Sequence, residues 1–266
     1  MISLAGVLFL VQHALVFAVL TATCFVLGRR LLGDHGRESG GEGFALSTGV
    51  GLGAAGLLLF GLGLLGGLTA GSVSALVVLI HLTGFSVWRD GLTRIRTSDN
   101  RGLFSSDSLP WLPAALTVAL VALLSFYPPT SFDATSYHLP YARAFAQAHR
   151  VVSLPGRRFP VFPQLSEVVF SATLLGGDDT DAARVELLAL LVGLAALSGG
   201  ARRRSGTAAG PWAASAWIGC PAVALLSASA YVDVGFTMFA LLAFIAWDRW
   251  REEGLGRWIV VSAALA

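Results

Sequence analysis

The stretch YPPTSFDATSYHLPYARAFAQAHRVVSLPGRRFPVFPQLSE, residues 127–167, lies between hydrophobic segments and decides how the rest of the chain is interpreted. Elsewhere the chain consists mostly of Leu, Ala, Gly and Val, and its charges fall in short loops. The insert concentrates titratable side chains: Asp133, His138, Arg143, His149, Arg150, Arg157, Arg158 and Glu167. We therefore expect the reactive groups of this protein in the insert.

The composition points to an integral membrane protein. Of the 266 residues, 55% are hydrophobic and 13% are charged, whereas a soluble domain carries about 25% charged residues. The mean hydropathy is +0.71. A net charge of +2 gives no case for a nucleic-acid partner, which requires a clustered basic surface.

The lengths of the apolar runs predict an all-α, polytopic transmembrane helix bundle. A helix that crosses the hydrocarbon core needs about 20 mostly apolar residues. Residues 1–110 are expected to form three N-terminal helices, and residues 111–266 a second unit with an outer loop at 128–183. We predict about eight spans, the last cut short by the end of the chain: Ser3–Leu27, Phe44–Gly66, Ala70–Trp88, Trp111–Tyr127, Val185–Ala201, Pro211–Ala230, Val234–Trp247 and Trp258–Ala266.

The distribution of arginine predicts the orientation, because cytoplasmic loops carry an excess of basic residues. Four loops hold 3, 4, 3 and 3 arginines: Gly28–Gly43, Arg89–Pro110, Arg202–Gly210 and Asp248–Arg257. The other five arginines lie between Arg143 and Arg184. We therefore place the four loops in the cytoplasm, and the N-terminus and the insert outside.

The run Trp212–Trp247 is predicted to be a helical hairpin. As one helix its 36 residues would be about 54 Å long at 1.5 Å per residue, and it would place two arginine clusters on opposite sides. Two helices with an outer turn at Tyr231–Asp233 avoid both problems. Asp233 then lies on the same side as Asp133.

Within the insert, two short helices are expected. Pro128 and Pro129 end the fourth span because neither can donate a backbone hydrogen bond. A helix from His138, with an apolar face that includes Tyr141 and Phe145, has the pattern of a helix lying at the bilayer interface. A second runs from Pro163 to Gly176 and carries Glu167.

Several polar residues have structural interpretations. Asp178, Asp179 and Asp181 suit the N-terminus of the fifth span. His13 and His81 have no partner visible in the sequence and are interpreted as packed polar residues. Arg143 and Arg150 suit contacts with lipid headgroups as well as they suit a functional role. A carboxylate just above a membrane is costly to desolvate unless it has a partner or a task, so for Asp133 we favour function.

Three segments resemble the GT-C superfamily of integral-membrane glycosyltransferases, such as protein O-mannosyltransferases and the lipid A aminoarabinose transferase. They are FDATSYHLPYARAF (132–145), RFPVFPQLSEVVF (158–170) and SAYVDVGFTMFALLAF (229–244). The resemblance covers about Trp111 to Trp247. Relatives carry more helices after the last span, so it also implies a truncated chain.

The resemblance implies transfer of a sugar from a polyprenyl-phosphate donor to an acceptor at the outer face of the plasma membrane. Asp133 matches the acidic residue taken as general base or acceptor-orienting group, and Asp233 the second acidic residue; His138 is the third catalytic candidate. The candidate substrate-binding residues are Arg157 and Arg158, for the donor phosphate, and Tyr137, Arg143 and Glu167. The resemblance assigns no definite cofactor. It leaves a divalent cation open, although Ala134 stands where many relatives have a second acidic residue.

Two other classes of membrane protein stay open from the sequence. One is a multi-span transporter or flippase, which would place charges near the bilayer midplane and often shows internal repeats. The other is a non-catalytic polysaccharide-assembly protein, which would not require Asp233 to share a site with Asp133.

Overall fold

The computed structural model describes residues 3–33, 40–89, 106–159 and 164–266. Within these ranges the chain is helical and contains no strand, which confirms the all-α class. The helices are α1 (Leu4–Leu32), α2 (Gly41–Leu64), α3 (Ala70–Thr83), α4 (Leu112–Leu124), α5 (Leu139–Ala148), α6 (Leu165–Leu174), α7 (Asp179–Ser205), α8 (Ala209–Ile218), α9 (Pro221–Leu226), α10 (Asp233–Glu253) and α11 (Gly256–Leu265).

Three of the described helices are long and apolar enough to cross a membrane: α1, α2 and α7. Several other segments predicted as spans form shorter apolar helices, among them α3, α4 and α11. Membrane association is therefore supported by the structure. The count of about eight spans goes beyond these three helices and stays a prediction.

Glycines bring α1 and α2 into close contact. A Cβ on Gly28 would lie 1.7 Å from the carbonyl oxygen of Ser47, and a Cβ on Gly51 would lie 1.7 Å from that of Cys24. No side chain fits at such distances, so the two backbones touch directly at this crossing. Other glycines of α2 meet different elements: Gly49 meets Leu242 of α10, and Gly63 meets Val151 of the insert.

The predicted helical hairpin is present, but its first arm is broken. The segment predicted as one span, Pro211–Ala230, forms α8 and α9 with a break at Cys220. Pro221 explains the break, because proline has no N–H to donate into the preceding turn. The chain then turns at residues 227–232 and returns as α10, which begins at Asp233.

The insert contains the two expected short helices, with local differences. Helix α4 ends at Leu124, before the two prolines. A π-helical turn at Ala134–His138 leads into α5, which has Pro140 in its first turn as expected. The apolar face of α5 is buried through Tyr141 and Phe145. Helix α6 buries Val168 and Val169, and Glu167 with them. Pro163, where the sequence placed the start of this helix, lies outside the described residues.

The first turn of α7 is capped as predicted, and it also provides the partner that the sequence did not show for His13. Asp178 and Asp181 form a capping box at this helix end. His13 Nδ1 lies 2.7 Å from Asp181 Oδ1, with both side chains buried. His13 is thus a packed, buried residue as interpreted, and Asp181 is the partner that the sequence did not reveal. His81 contacts Thr23 and Trp88.

The long helices define two ends of the bundle. Helix α2 begins beside the ends of α7 and α10, where Glu42 contacts Arg203 and Arg249. We call this the arginine-rich end; it also contains Arg204, Asp248 and Glu252. At the other end, which we call the cavity end, the insert packs over the start of α10 and the end of α2. The arginines at 37, 94, 96 and 101, on which part of the orientation argument depends, lie outside the described residues.

Candidate functional site

The two carboxylates predicted to share a site lie at the same end of the bundle. Ser131 Oγ, two residues before Asp133, is 2.7 Å from Ser229 Oγ, four residues before Asp233. This contact fixes the start of the insert against the turn that precedes α10. Asp133 is half-buried and Asp233 is exposed.

Tyr137 connects these carboxylates. Its side chain lies close enough to both Asp133 and Asp233 for their charges to act on its hydroxyl group. Burial, together with the charge and hydrogen bond of Asp133 and the more distant charge of Asp233, raises the pKa of Tyr137 from 10.0 to about 12. Tyr137 is therefore protonated at neutral pH, beside the carboxylate of Asp133.

Behind Tyr137 lies a cavity of about 360 Å³ between the insert, α6 and the start of α10. Its walls are largely aromatic and apolar: Tyr137, Tyr141, Phe159, Leu165, Val232, Phe236 and Phe239. The polar lining comes from His138, Gln164, Ser166 and Glu167. A small cavity with an apolar wall and a few convergent polar groups is the usual form of a binding site for a small molecule.

His138 and Glu167 form a buried pair at this cavity. His138 Nδ1 lies 2.7 Å from Glu167 Oε1, and the side chains are 4% and 8% exposed. The π-helical turn and the first residues of α5 position His138, and α6 positions Glu167. The sequence named both residues but did not predict that they contact each other.

Glu186, on α7, is a further acidic residue near the site that the sequence analysis missed. It is 1% exposed, and its Oε2 accepts a hydrogen bond of 3.0 Å from the backbone N–H of Gly235 in the cavity wall. It therefore fixes the first turn of α10, which carries Asp233. A signal existed, because an ionisable residue inside an apolar run is costly and marks a functional or structural site.

The three predicted arginines are placed differently. Arg158 is exposed, and its guanidinium lies 5.5 Å from the centre of the Phe132 ring, next to Asp133. Arg157, the preceding residue, is also exposed. Arg143 forms an ion pair with Asp179 on α7, and it does not line the cavity.

Among the described residues, one group of histidine and acidic side chains could hold a metal ion, and it is not the predicted site. His13, Asp178 and Asp181 have ligand atoms within 4.8 Å of one another. However, the two nitrogens of His13 each face a carboxylate, at 2.7 and 3.6 Å. The guanidinium of Arg184 lies 3.6 Å from Asp181 Oδ1. An imidazole between two carboxylates, with a guanidinium alongside, accounts for this group as an ion-pair cluster.

Comparisons with known proteins leave the family undefined. No model of a protein family matches the chain, and no solved structure matches it. An uncharacterized protein of Shigella flexneri is 36% identical over 63 residues, which are 24% of this chain and 32% of that protein. The match thus covers about a third of the length of this relative, and its name states no activity.

Proposed function

We propose that this protein is a membrane glycosyltransferase that moves a sugar from a polyprenyl-phosphate donor to an acceptor. The observation that supports this function best is the arrangement at the cavity end. Asp133 and Asp233, a hundred residues apart in sequence, both act on Tyr137 at the edge of a cavity.

The chemistry of the proposed reaction needs groups of these types. Displacement of a phosphate from an anomeric carbon needs a group that removes or orients the acceptor proton, and charge that stabilises the departing phosphate. Asp133, beside Tyr137, and Asp233 are the carboxylates for the acceptor and the sugar hydroxyls. A cavity of about 360 Å³ suits a single sugar ring rather than a long oligosaccharide.

The donor phosphate is assigned to Arg158, with Arg157 in support. A guanidinium forms paired hydrogen bonds with phosphate oxygens, and that of Arg158 lies over the ring of Phe132, the residue before Asp133. A polyprenyl tail would remain in the bilayer while its headgroup reaches this end of the bundle. By the arginine count, this end faces outside the plasma membrane.

The experiment is a transfer assay on the protein in membranes, with radiolabelled polyprenyl-phosphate hexoses as donors. Asp133→Asn keeps the shape of the side chain and removes its charge. We expect it to lower the rate by about a hundredfold, because the acceptor loses the carboxylate that removes or orients its proton. Asp233→Asn should also lower the rate, but less if it only orients a partner.

Asp179→Asn is the matched control, because Asp179 lies at the same end of the bundle but pairs with Arg143 and does not line the cavity. Its rate should equal that of the wild type. Full activity of Asp133→Asn would remove Asp133 from the site. Movement of intact lipid-linked sugar across vesicle membranes, without release of polyprenyl phosphate, would favour the flippase.

A further inference from the structure

The buried pair His138–Glu167 has the geometry of an oriented base. One imidazole nitrogen, Nδ1, is 2.7 Å from a carboxylate oxygen of Glu167. A carboxylate at this position fixes the tautomer, so that Nδ1 carries the proton and Nε2 presents a lone pair. It also stabilises the imidazolium that forms when Nε2 takes a proton.

The other nitrogen is available to a ligand. His138 lines the cavity, and Nε2 has no hydrogen-bond partner among the described residues. The rings of Tyr137 and Tyr231 lie beside the imidazole, at 4.2 and 6.4 Å between ring centres. These rings hold the imidazole in place and leave Nε2 as its reactive atom.

We infer that His138 Nε2 is the proton acceptor of the transfer reaction and that Glu167 is its positioning residue; this inference rests on the proposed function. The acceptor is then a hydroxyl group bound in the cavity. Its O–H bond breaks and the proton moves to Nε2. The hydroxyl oxygen forms a bond to the anomeric carbon, and the bond from that carbon to the phosphate oxygen breaks with its electron pair. Polyprenyl phosphate leaves, and the imidazolium later returns its proton to water.

This assignment places the proton acceptor in the cavity and the acceptor-orienting group at its edge. Asp133 lies beside Tyr137 at the edge of the cavity and does not line it, whereas His138 does. Asp133 is then the group that orients the acceptor. Glu167, from α6, is the carboxylate that contacts the imidazole, and it stabilises the positive charge that the ring gains in the reaction.

The test is chemical rescue in the same transfer assay. His138→Ala opens a space of imidazole size, so we expect a rate at least a hundredfold below wild type, and recovery of at least tenfold with added imidazole. Methylammonium at the same concentration should give no recovery. His149→Ala, in the same insert but hydrogen-bonded to the carbonyl of Leu68, should match the wild type. Glu167→Gln should lower kcat with little change in KM, because it alters the base and not the sugar contacts.

A second measurement does not depend on turnover. Diethyl pyrocarbonate should modify His138 in the folded wild type, and polyprenyl phosphate should protect it, whereas His13 should not react because both its nitrogens face carboxylates. An unreactive His138, or a folded His138→Ala that imidazole does not rescue, contradicts the inference. If the wild type transfers sugar from none of the donors, the proposed function is wrong, and this inference is wrong with it. An active wild type with an equally active His138→Ala overturns only the role of His138.

Discussion

At the arginine-rich end, each buried carboxylate contacts guanidinium groups on two sides. Glu42 accepts hydrogen bonds from Arg203 and Arg249, at 3.1 and 2.6 Å. Asp248 accepts from Arg203 and Arg204. At the cavity end Asp179 also pairs with an arginine, but two acidic residues next to the cavity have other partners. Glu167 pairs with a histidine, and Glu186 with a backbone N–H.

This difference separates a structural use of charge from a chemical one. Buried charges that are paired and hydrogen-bonded hold helices together, here α2, α7 and α10. Buried acidic groups that are not each paired with a guanidinium lower the stability of the fold. Titratable groups in such surroundings concentrate at functional sites. We therefore assign stability to the arginine-rich end and chemistry to the cavity end.

The largest expected effect concerns the sides of the membrane on which the two ends lie. A cysteine at Gly156, in the exposed loop of the cavity end, should react in intact cells with an impermeant thiol reagent. A cysteine at Ser205, at the arginine-rich end, should react only after the cells are opened. Both variants are made with Cys220→Ser, because the native Cys220 is exposed whereas Cys24 is buried. Labelling at Ser205 in intact cells would reverse the orientation.

The next effect tests the structural role of the arginine-rich end. Glu42→Gln removes the carboxylate that the buried Arg249 shares with the partly exposed Arg203, and breaking a buried ion pair costs about 3–5 kcal/mol. We expect a loss of this size in the free energy of unfolding, measured by denaturation in mixed micelles. Asp179→Asn, which breaks an exposed pair with Arg143, should change it by about 1 kcal/mol or less. Equal losses would contradict the distinction between the two ends.

Several features of the fold could be predicted from local sequence. The lengths of apolar runs and the helix-breaking effect of proline predicted the hairpin before α10 and the short helices of the insert. The arginine count predicted that the loops containing Glu42, Arg203 and Asp248 lie at the same end of the bundle. These predictions succeeded because each depends on residues close together in the chain.

The contacts of the site could not be predicted in the same way. His138 and Glu167 are 29 residues apart, and His13 and Asp181 are 168 apart. Which residues meet across such separations depends on the rotation of each helix about its axis, which small differences in packing determine. Glu186 was missed because the apolar run around it was interpreted only as a span.

A smaller effect separates the two arginines of the insert. Arg158→Ala should weaken donor binding about tenfold or more, because a lost hydrogen bond to a charged group costs about 1.5–3 kcal/mol. Arg157→Ala should have the weaker effect, because the contact with Phe132 next to Asp133 belongs to Arg158. Binding of polyprenyl-phosphate hexose to the purified protein measures both. Normal binding by the double variant would remove this loop from the donor site.

The smallest effect tests directly whether the two carboxylates of the cavity end act on one residue. Because the pKa of Tyr137 is raised from 10.0 to about 12, the folded state holds this proton more tightly than the unfolded state does. The corresponding stabilisation of the folded state is fully present below about pH 10 and is lost as the pH rises through about 12.

Phenolate absorbance should therefore show a late step near pH 12 that Tyr137→Phe removes. Burial is the largest cause of the shift, so Asp133→Asn should lower the midpoint of this step but leave it above 10. Asp233→Asn should lower it less, since Asp233 acts through its charge alone. A step that neither variant moves would show that these carboxylates do not meet at Tyr137 and would separate the two halves of the proposed site.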